Sequence, residues 1–513
     1  MKEQRGIFYY KKLLKTVVAA LCIVTSWALP VNTYAQAGGP AGGGENTNDS
    51  APASPSASRM MNSPQPSSYS SSQNPFMGSV PEGTASSQVL SLTFEGAIDR
   101  GLRNNLGVLL VSDSTLAARG QKWKELSALL PSITGVVSEN VARINLAAEG
   151  FRFSGPAFAG IPQVVGPFGF FDARLVFSQS IFDWNALQRE RGASQNVKAT
   201  EYTYKNAREL VVLAVGNTYL EALSGSARVE TAQAEVDTAQ ALFNKASDQQ
   251  KAGVSPAIDT LRSQVELQAR QQQLIVARNN FAKQKLTLAR AIGLPTGQEF
   301  TLAEKEPYQP LVPMPLAEAL QRAYTHRPDY LAAQQQVRSA EYFRHAATAE
   351  HLPSLGISGN YGDSSVDPGN PEQVYQLAAT LKIPLFTGNR SHADALEAEA
   401  TLRQNKQQLE NLRGQIDYEV RTALLDLQAA AEQVEVAQNS VNLANQALTQ
   451  ARDRFAAGVT DNLEVVQAQE SVAAANESYI SSLYAHNVAK VELARAIGFA
   501  EEGVRQYLVN HKP

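Results

Sequence analysis

The sequence predicts a mainly α-helical protein with a small β part, in which one structural unit occurs twice. The first observation is a heptad pattern from Val420 to Phe455, with a large apolar residue at one core position and alanine at the other. A period of 3.5 residues is what a left-handed seam between two helices requires. The same register occurs 205 residues earlier, from Val215 to Ala246. Before each long helical region the pattern changes to alternating apolar and polar residues, which is typical of β-strands.

The seam is filled by residues of two sizes. The large positions of the second copy are Val420, Leu427, Val434, Val441, Leu448 and Phe455, and the small ones are Ala423, Ala430, Ala437, Ala444 and Ala451. Five successive heptads of this kind predict two long helices packed closely along their whole length. Because the register repeats, we interpret the chain as an internal duplication.

Residues 1–37 have the features of a secretory signal peptide. The first 15 residues carry a net charge of +4 and are followed by an apolar stretch that reaches Leu29. A small-x-small cleavage motif then ends at Ala37. Removing this +4 segment from a chain of formal net charge −4 leaves −8, which disfavours a nucleic-acid partner. The only cysteine, Cys22, lies inside the signal, so no disulfide is expected in the mature chain. Residues 38–88 are rich in Ser, Pro and Gly and are expected to form a disordered leader.

The remaining chain divides into two repeats. The first, 89–296, is predicted to contain a helix, a β-hairpin at about 133–182 and a long helical hairpin with its tip near 253. The second, 316–500, repeats this order, with a β-hairpin at about 354–386 and a tip near 458. A Pro-rich connector, 297–315, joins the repeats, and 501–513 is a C-terminal tail. Leu-Pro-Ser precedes both β-hairpins, at 130–132 and 352–354, where proline ends the preceding helix.

Each predicted strand has one apolar and one polar face over about ten residues, the pattern of tilted strands that cross an outer membrane. On the polar faces, Asp172, Arg174 and Lys382 are then candidates to line a water-filled lumen. A half-buried soluble hairpin has the same pattern. The membrane interpretation is favoured because no helical face is obviously reserved to cover the hairpins.

The number of strands predicts an oligomer. After the signal, no stretch approaches 18 consecutive apolar residues, which excludes a helical membrane protein. Four strands cannot close a barrel, and open sheet edges are not tolerated in lipid. Three copies would supply twelve strands, whereas the eight strands of two copies would leave no open duct. The helices would then extend the same cylinder as a hollow tube.

These features together resemble the TolC-type outer-membrane channels of the outer membrane efflux protein family. The residues that carry the resemblance are the two Leu-Pro-Ser motifs, Phe386-Thr-Gly-Asn389, and the segments 211–222, 455–461 and 493–498. The resemblance implies a homotrimer with a twelve-stranded barrel in the outer membrane and a periplasmic α-barrel, without a cofactor. It also implies a passive exit duct for a tripartite efflux pump or a type I secretion system. Its partners would be a periplasmic adaptor protein and an inner-membrane transporter.

The resemblance also assigns expected roles to residues at the helical tips. The adaptor-docking positions would be Gly253, Val254, Ser255, Gly458, Val459 and Thr460. The candidates for the pore constriction are Glu464, Asp259 and Asp461. Gln467 stands where the family has a second acidic position, so one acidic ring is expected and another is lost. Phe455 and Thr460 replace the Tyr and Arg that lock the closed tip in the family, and Arg452 or Arg454 could substitute for them.

The sequence contains no sign of an enzyme. There is no Gly-rich phosphate loop with Lys-Ser/Thr, no His-Glu-x-x-His and no Gly-x-Ser-x-Gly motif. The histidines are far apart in the sequence, so no metal site is predicted, and His486 is interpreted as a polar residue in a helix interface. The alternative function is a secreted coiled-coil scaffold or adhesin with two soluble hairpins and no channel.

Overall fold

A computed structural model describes residues 75–148, 150, 162–304, 308–310, 314–366, 371–457, 459–460 and 462–503. The predicted signal peptide with Cys22 and the leader up to residue 74 lie outside the described residues. The same is true of Gly458 and Asp461.

The prediction of a mainly helical chain with a small β part is confirmed. The long helices are α1 (Phe94–Asn104), α2 (Leu106–Ser127), α3 (Trp184–Lys251), α4 (Ala257–Ala291), α5 (Leu316–His326), α6 (Pro328–Thr348), α7 (Arg390–Ala456) and α8 (Asn462–Ala496). The strands are β1 (Leu90–Leu92), β2 (Ser132–Asn145), β3 (Val164–Phe182), β4 (Phe300–Leu302), β5 (Ser354–Ser365) and β6 (Glu372–Lys382).

Helices α3 and α7, of 68 and 67 residues, are the longest elements of the described chain. At 1.5 Å per residue each is about 100 Å long. Helices α2, α4, α6 and α8 pack against α3, and α6 and α8 also pack against α7. The helix order is therefore α2-α3-α6-α7 near the sheet and α4-α3-α8-α7 near the tips. Helices α2 and α4 form one edge of the subunit, and α7 forms the other.

The predicted seam is buried along most of its length. On α7, Val420, Ala423, Leu427, Ala430 and Val434 are all less than 10% exposed. Helix α3 also contains an 18-residue window that is apolar and long enough to cross a membrane, but 61% of that window is buried inside the structure. Packing between helices therefore accounts for its composition.

The equatorial junction lies about midway along α3 and α7, where the short elements β1, β4, α1 and α5 surround the long helices. Strand β1 pairs in parallel with β4, and their neighbours Phe94, Ile98, Val215 and Tyr219 belong to the largest buried cluster of apolar side chains. Strand β4 lies within the predicted connector 297–315.

The folded part begins earlier than predicted, because residues 75–88 also pack at this junction. The carbonyl of Phe76 accepts a hydrogen bond of 2.7 Å from the buried Asn105 side chain, and Val80 N–H donates to the carbonyl of Asn104 at 2.8 Å. The ring of Phe76 lies so close to Gly107 that a Cβ there would be 2.4 Å from it. These contacts anchor a segment whose Ser- and Gly-rich composition alone predicts disorder.

In the second repeat the junction is held by a buried cation. Arg327 is 1% exposed, and its guanidinium forms ion pairs of 2.7 Å with Asp329 and 2.6 Å with Glu419 on α7. It also donates to the carbonyl of Ala496 at 3.3 Å. One side chain thus joins α6, α7 and the end of α8.

The four longer strands form one antiparallel sheet in the order β2-β3-β5-β6. Each hairpin supplies two neighbouring strands, and β3 pairs with β5 to join the hairpins. Strands β2 and β6 are the edges, and neither has a further strand beside it within the described chain. The edges follow the helix order, since β2 continues from α2 and β6 leads into α7.

Candidate functional site

The register of the sheet collects apolar side chains on one face. Ile133 lies opposite Phe177, and Leu355 lies opposite Leu381. The same face carries Val137, Val141, Phe171, Ala173, Leu175, Ile357, Tyr361, Tyr375, Leu377 and Ala379. Two charged residues also lie on it, Asp363 near the loop end of β5 and Glu139 in the middle of β2.

No helix of the described chain covers this apolar face. Val137 is 74% exposed, Leu377 is 77% exposed and Tyr375 is 80% exposed. Monomeric soluble proteins rarely expose a contiguous apolar surface of this size, so the face requires a lipid or protein partner.

The opposite face is mainly polar, with Val136 and Val176 among its few apolar residues, and it includes all three predicted lumen residues. Arg174 forms an ion pair of 2.6 Å with Asp172, two residues away on the same face of β3. Lys382 lies opposite Ser354 at the helix end of the sheet. The hydroxyls of Ser132 and Ser178, on neighbouring strands of this face, are 2.8 Å apart. Small and polar side chains of this kind suit a water-filled space.

At the other end of the molecule, the first tip is a tight helix end. Gly253 has a φ of +74°, which only glycine adopts without strain. Its N–H donates to Gln250 O at 2.9 Å, and Val254 N–H donates to Gln249 O at 2.9 Å. This pair of hydrogen bonds is the Schellman arrangement that ends a helix.

The second tip repeats the outer hydrogen bond of the first, since Val459 N–H donates to Arg454 O at 3.0 Å. The result at each tip is one apolar side chain that projects into solvent. Val254 is 76% exposed and Val459 is 70% exposed. Gly458, between the helices, lies outside the described residues.

The predicted constriction residue Asp259 is buried in the first turn of α4. Its carboxylate accepts a hydrogen bond of 2.8 Å from the Ser255 hydroxyl, and Arg262 lies 3.8 Å away. The carboxylate therefore faces the tip and the helix N-terminus, where a negative charge is favourable. Neither Arg452 nor Arg454 is its ion-pair partner.

The two helical hairpins are joined near the tips by a residue that the sequence did not identify. Asn462, the first residue of α8, is fully buried, and its amide donates to Ser263 Oγ at 2.6 Å and to Asp259 O at 3.1 Å. No sequence signal singles it out, because its partners lie 199 and 203 residues away.

Glu464, the main constriction candidate, is half-buried and paired within the same chain. Its carboxylate lies 3.3 Å from the guanidinium of Arg454, on the last turns of α7. A cation at this distance reduces the negative potential that Glu464 alone would produce. Asp461, the other candidate, lies outside the described residues.

His486 lies within the protein interior and far from the tips. It is fully buried on α8, and burial together with Lys490 lowers its pKa to about 4, so the imidazole is neutral at pH 7. Among the described residues, His, Cys, Asp and Glu side chains form no group of three or more that could hold a metal ion.

Comparison with known proteins places these features in a family. The sequence model of the outer membrane efflux protein family matches residues 125–294 and 319–499. The two matched segments correspond to the two repeats, and together they cover more than half of the chain.

Two relatives and one solved structure agree with this match. The chain is 25% identical to the pyoverdine export outer membrane protein OpmQ of Pseudomonas aeruginosa, over 66% of this chain and 72% of the relative. It is 24% identical to the alkaline protease secretion protein AprF of the same organism, over 64% and 69% of the two chains. The crystal structure of the Campylobacter jejuni CmeC outer membrane channel has the same fold. It aligns with a TM-score of 0.67 at 17% identity, over 83% of this chain and 92% of that chain.

Proposed function

Because this chain belongs to the outer membrane efflux protein family, we propose that it is the outer-membrane exit duct of a tripartite efflux pump or a type I secretion system. The duct conducts substrates passively and catalyses no reaction. Export of pyoverdine and secretion of a protease are what the names of OpmQ and AprF state, and both are forms of export across the outer membrane. The helices lie in the periplasm.

The observation that carries this proposal is the two-faced sheet with two open edges. Unpaired backbone groups in hydrocarbon cost several kcal/mol each, so an open four-stranded sheet is not tolerated in a membrane. A homotrimer closes the sheet into a barrel of twelve strands, with lipid outside and the face with Asp172, Arg174 and Lys382 inside. The alternative of a secreted scaffold leaves the apolar face without a partner.

The tips are the proposed docking site of a periplasmic adaptor protein, which connects the duct to an inner-membrane transporter. Val254 and Val459 project from turns that share the same outer hydrogen bond, so three copies present six similar apolar contacts in a ring. Gly253 shapes the first turn, and Ser255, Gly458 and Thr460 are the other proposed docking positions.

The constriction is proposed to lie just above the tips, where three copies place Glu464 in a ring. In each copy Arg454 offsets part of that charge, and Asn462 ties α8 to α4 through Ser263. These contacts hold the tips together within one subunit. Asp259 supports the turn through Ser255, and Asp461 is the third proposed constriction residue.

Single-channel recording in planar bilayers tests the duct and the constriction together. The purified outer-membrane protein should conduct. Glu464→Gln should lower its preference for cations, whereas Arg454→Gln should raise that preference because Glu464 loses its partner.

Two results would contradict the proposal in different ways. A protein that is released from membranes by salt and does not conduct would support the scaffold alternative. A conducting channel whose cation preference is the same in Glu464→Gln and Arg454→Gln as in the wild type would remove Glu464 from the constriction.

Gln467→Glu is the matched gain-of-charge variant, because it adds a carboxylate one turn further along α8.

A further inference from the structure

The polar face of strand β3 carries two aromatic side chains near the hairpin loop. Antiparallel pairing places Phe170 opposite Asn140 and Phe168 opposite Ala142, on the same face as Asp172. Side chains on one face of a strand recur every two residues, so the register of the sheet fixes the face on which both rings lie. Among the four described strands of this sheet, no other aromatic residue lies on the polar face.

The two phenylalanines break the alternation that the rest of the sheet follows. The other positions of the polar face hold Ser, Thr, Asn, Gln, Gly, Ala, Val or charged side chains. The interior of a membrane barrel is polar, and a phenyl ring that faces water there loses the free energy that burial would give it. Departures from a local rule of this kind are expected at functional sites.

The rings lie at the loop end of the sheet, far from the helices. Phe168 is 12 residues from Ser180, which pairs near the helix end of β5. At about 3.4 Å per residue and a tilt of about 40°, this distance spans about 30 Å of height, the thickness of the hydrocarbon core. The pairing of β5 with β6 ends at Ser364, which lies opposite Asp172. Phe168 and Phe170 therefore belong to the part of the first hairpin that extends beyond the second.

The charges next to the rings are negative in sum. Asp172 and Arg174 form an ion pair of 2.6 Å. Glu372 lies in the same row as Asp172, because each lies opposite Ser364 from one side. Strands spaced by about 4.8 Å place the two acidic residues about 10 Å apart. Glu372 is exposed and forms no ion pair with another described residue, so each copy contributes one uncompensated negative charge.

From these observations we infer that Phe168 and Phe170 form an aromatic collar at the outer mouth of the lumen, which binds aromatic organic cations. Phenyl rings bind aromatic groups by stacking and attract a cation over their faces. The carboxylate of Glu372 adds to the attraction for a cation. The inference rests on the proposed duct, since three copies bring six phenyl rings to one rim.

Single-channel recording with a matched pair of blockers tests the collar. Benzyltrimethylammonium and tetramethylammonium have the same charge and differ by one phenyl group. Added on the side that the hairpin loops face, benzyltrimethylammonium should halve the wild-type current at a lower concentration than tetramethylammonium does. Benzenesulfonate, an aromatic anion of similar size, should block less than benzyltrimethylammonium, because the charge beside the rings is negative.

The variant that removes the rings is Phe168→Leu combined with Phe170→Leu. Leucine keeps most of the apolar volume, so the variant should fold and conduct. Its half-blocking concentration for benzyltrimethylammonium should rise by about threefold or more, and that for tetramethylammonium should stay the same. Phe171→Leu is the matched control, because the next residue along β3 lies on the apolar face. It should leave both concentrations unchanged.

The possible results separate this inference from the proposed function. If the two ammonium ions block a conducting wild-type channel equally, the collar is wrong and the duct remains. If Phe171→Leu weakens the block as much as the double variant does, the rings on the polar face are not the binding site. If the purified wild-type protein does not conduct at all, both the duct and the collar fail.

Discussion

The equatorial junction and the two outer edges of the subunit are built on opposite principles. At the junction, polar groups are buried and paired inside one chain, as Arg327 is with Asp329 and Glu419. At the edges, apolar side chains such as Val436 and Leu377 are exposed, and the outer strands β2 and β6 have free backbone groups. The junction is complete in one copy, whereas in the proposed trimer the edges are completed by neighbouring copies.

The difference separates folding from assembly. Residues of the junction should determine whether the single chain is stable, and residues of the edges should determine whether copies close into a duct. A substitution at the junction should therefore lower the stability of the subunit, while one at the edge should change the oligomeric state and leave the helices intact.

The largest effect is expected from Arg327→Met. The substitution removes the buried guanidinium from the partly buried carboxylates of Asp329 and Glu419, although Asp329 keeps Arg495 at 3.4 Å. Breaking a pair with one buried partner should therefore cost about 3 kcal/mol, the low end of the range for buried pairs. The control is Arg403→Met, which removes an exposed i,i+4 pair with Glu399 and should cost less than about 1 kcal/mol. Thermal unfolding followed by circular dichroism measures both. Equal stability of the two variants would contradict the role of the junction.

A smaller difference is expected between two glycines of the same backbone conformation. Gly498 at the junction and Gly253 at the tip both have a φ of +74°. A Cβ at Gly498 would lie 2.6 Å from Arg327 N, whereas nothing lies within 4 Å at Gly253. Gly498→Ala should therefore destabilise by about 2–4 kcal/mol, from left-handed strain and overpacking together. Gly253→Ala should cost about 1 kcal/mol, from strain alone. Chemical denaturation of the two variants compares them directly, and a greater loss at Gly253 would contradict this comparison.

The junction also predicts a pH dependence through Glu209 on α3. Burial raises the pKa of this carboxyl to about 7, although Arg495 acts in the opposite direction. Asp329 and Glu501 are the acidic groups near it. A carboxyl with a raised pKa contributes stability at acid pH, and that contribution is lost as the pH rises from about 4.5 through 7.

Glu209→Gln should therefore stabilise the protein above pH 7, by at most about 3 kcal/mol, and have little effect near pH 4.5. Melting temperatures between pH 4.5 and 8.5 measure this difference. Glu410→Gln, on the exposed surface of α7, is the matched control and should leave the profile unchanged. A constant difference between Glu209→Gln and the wild type at all pH values would contradict burial as the cause.

The parts of the fold that depend on local patterns were predictable from the sequence. The heptads placed Val420 and Ala423 in a buried seam and indicated a long helix, which the structure has from Arg390 to Ala456. Alternation placed Asp172 and Arg174 on the polar face of the sheet. In each case, the period of one element decides which side chains share a face.

Contacts between distant segments were not predictable in this way. Arg327 meets Glu419 across 92 residues, and Asn462 meets Ser263 across 199. Composition was misleading at residues 75–88, where a few contacts around Phe76 and Val80 fix a Ser- and Gly-rich segment. Arg454, a candidate substitute for the residues that lock the closed tip in the family, pairs with Glu464. Such pairings depend on how the helices are arranged in three dimensions, which periodicity does not specify.

The decisive measurement is the native mass of the particle extracted from outer membranes in mild detergent. Three copies of the mature chain are expected, because only then do the edges β2 and β6 meet and the apolar side chains exposed on the outer helices α4 and α7 become covered. A stable, folded particle that contains one copy would contradict this expectation, since the apolar sheet face and both subunit edges would then be complete without a neighbour.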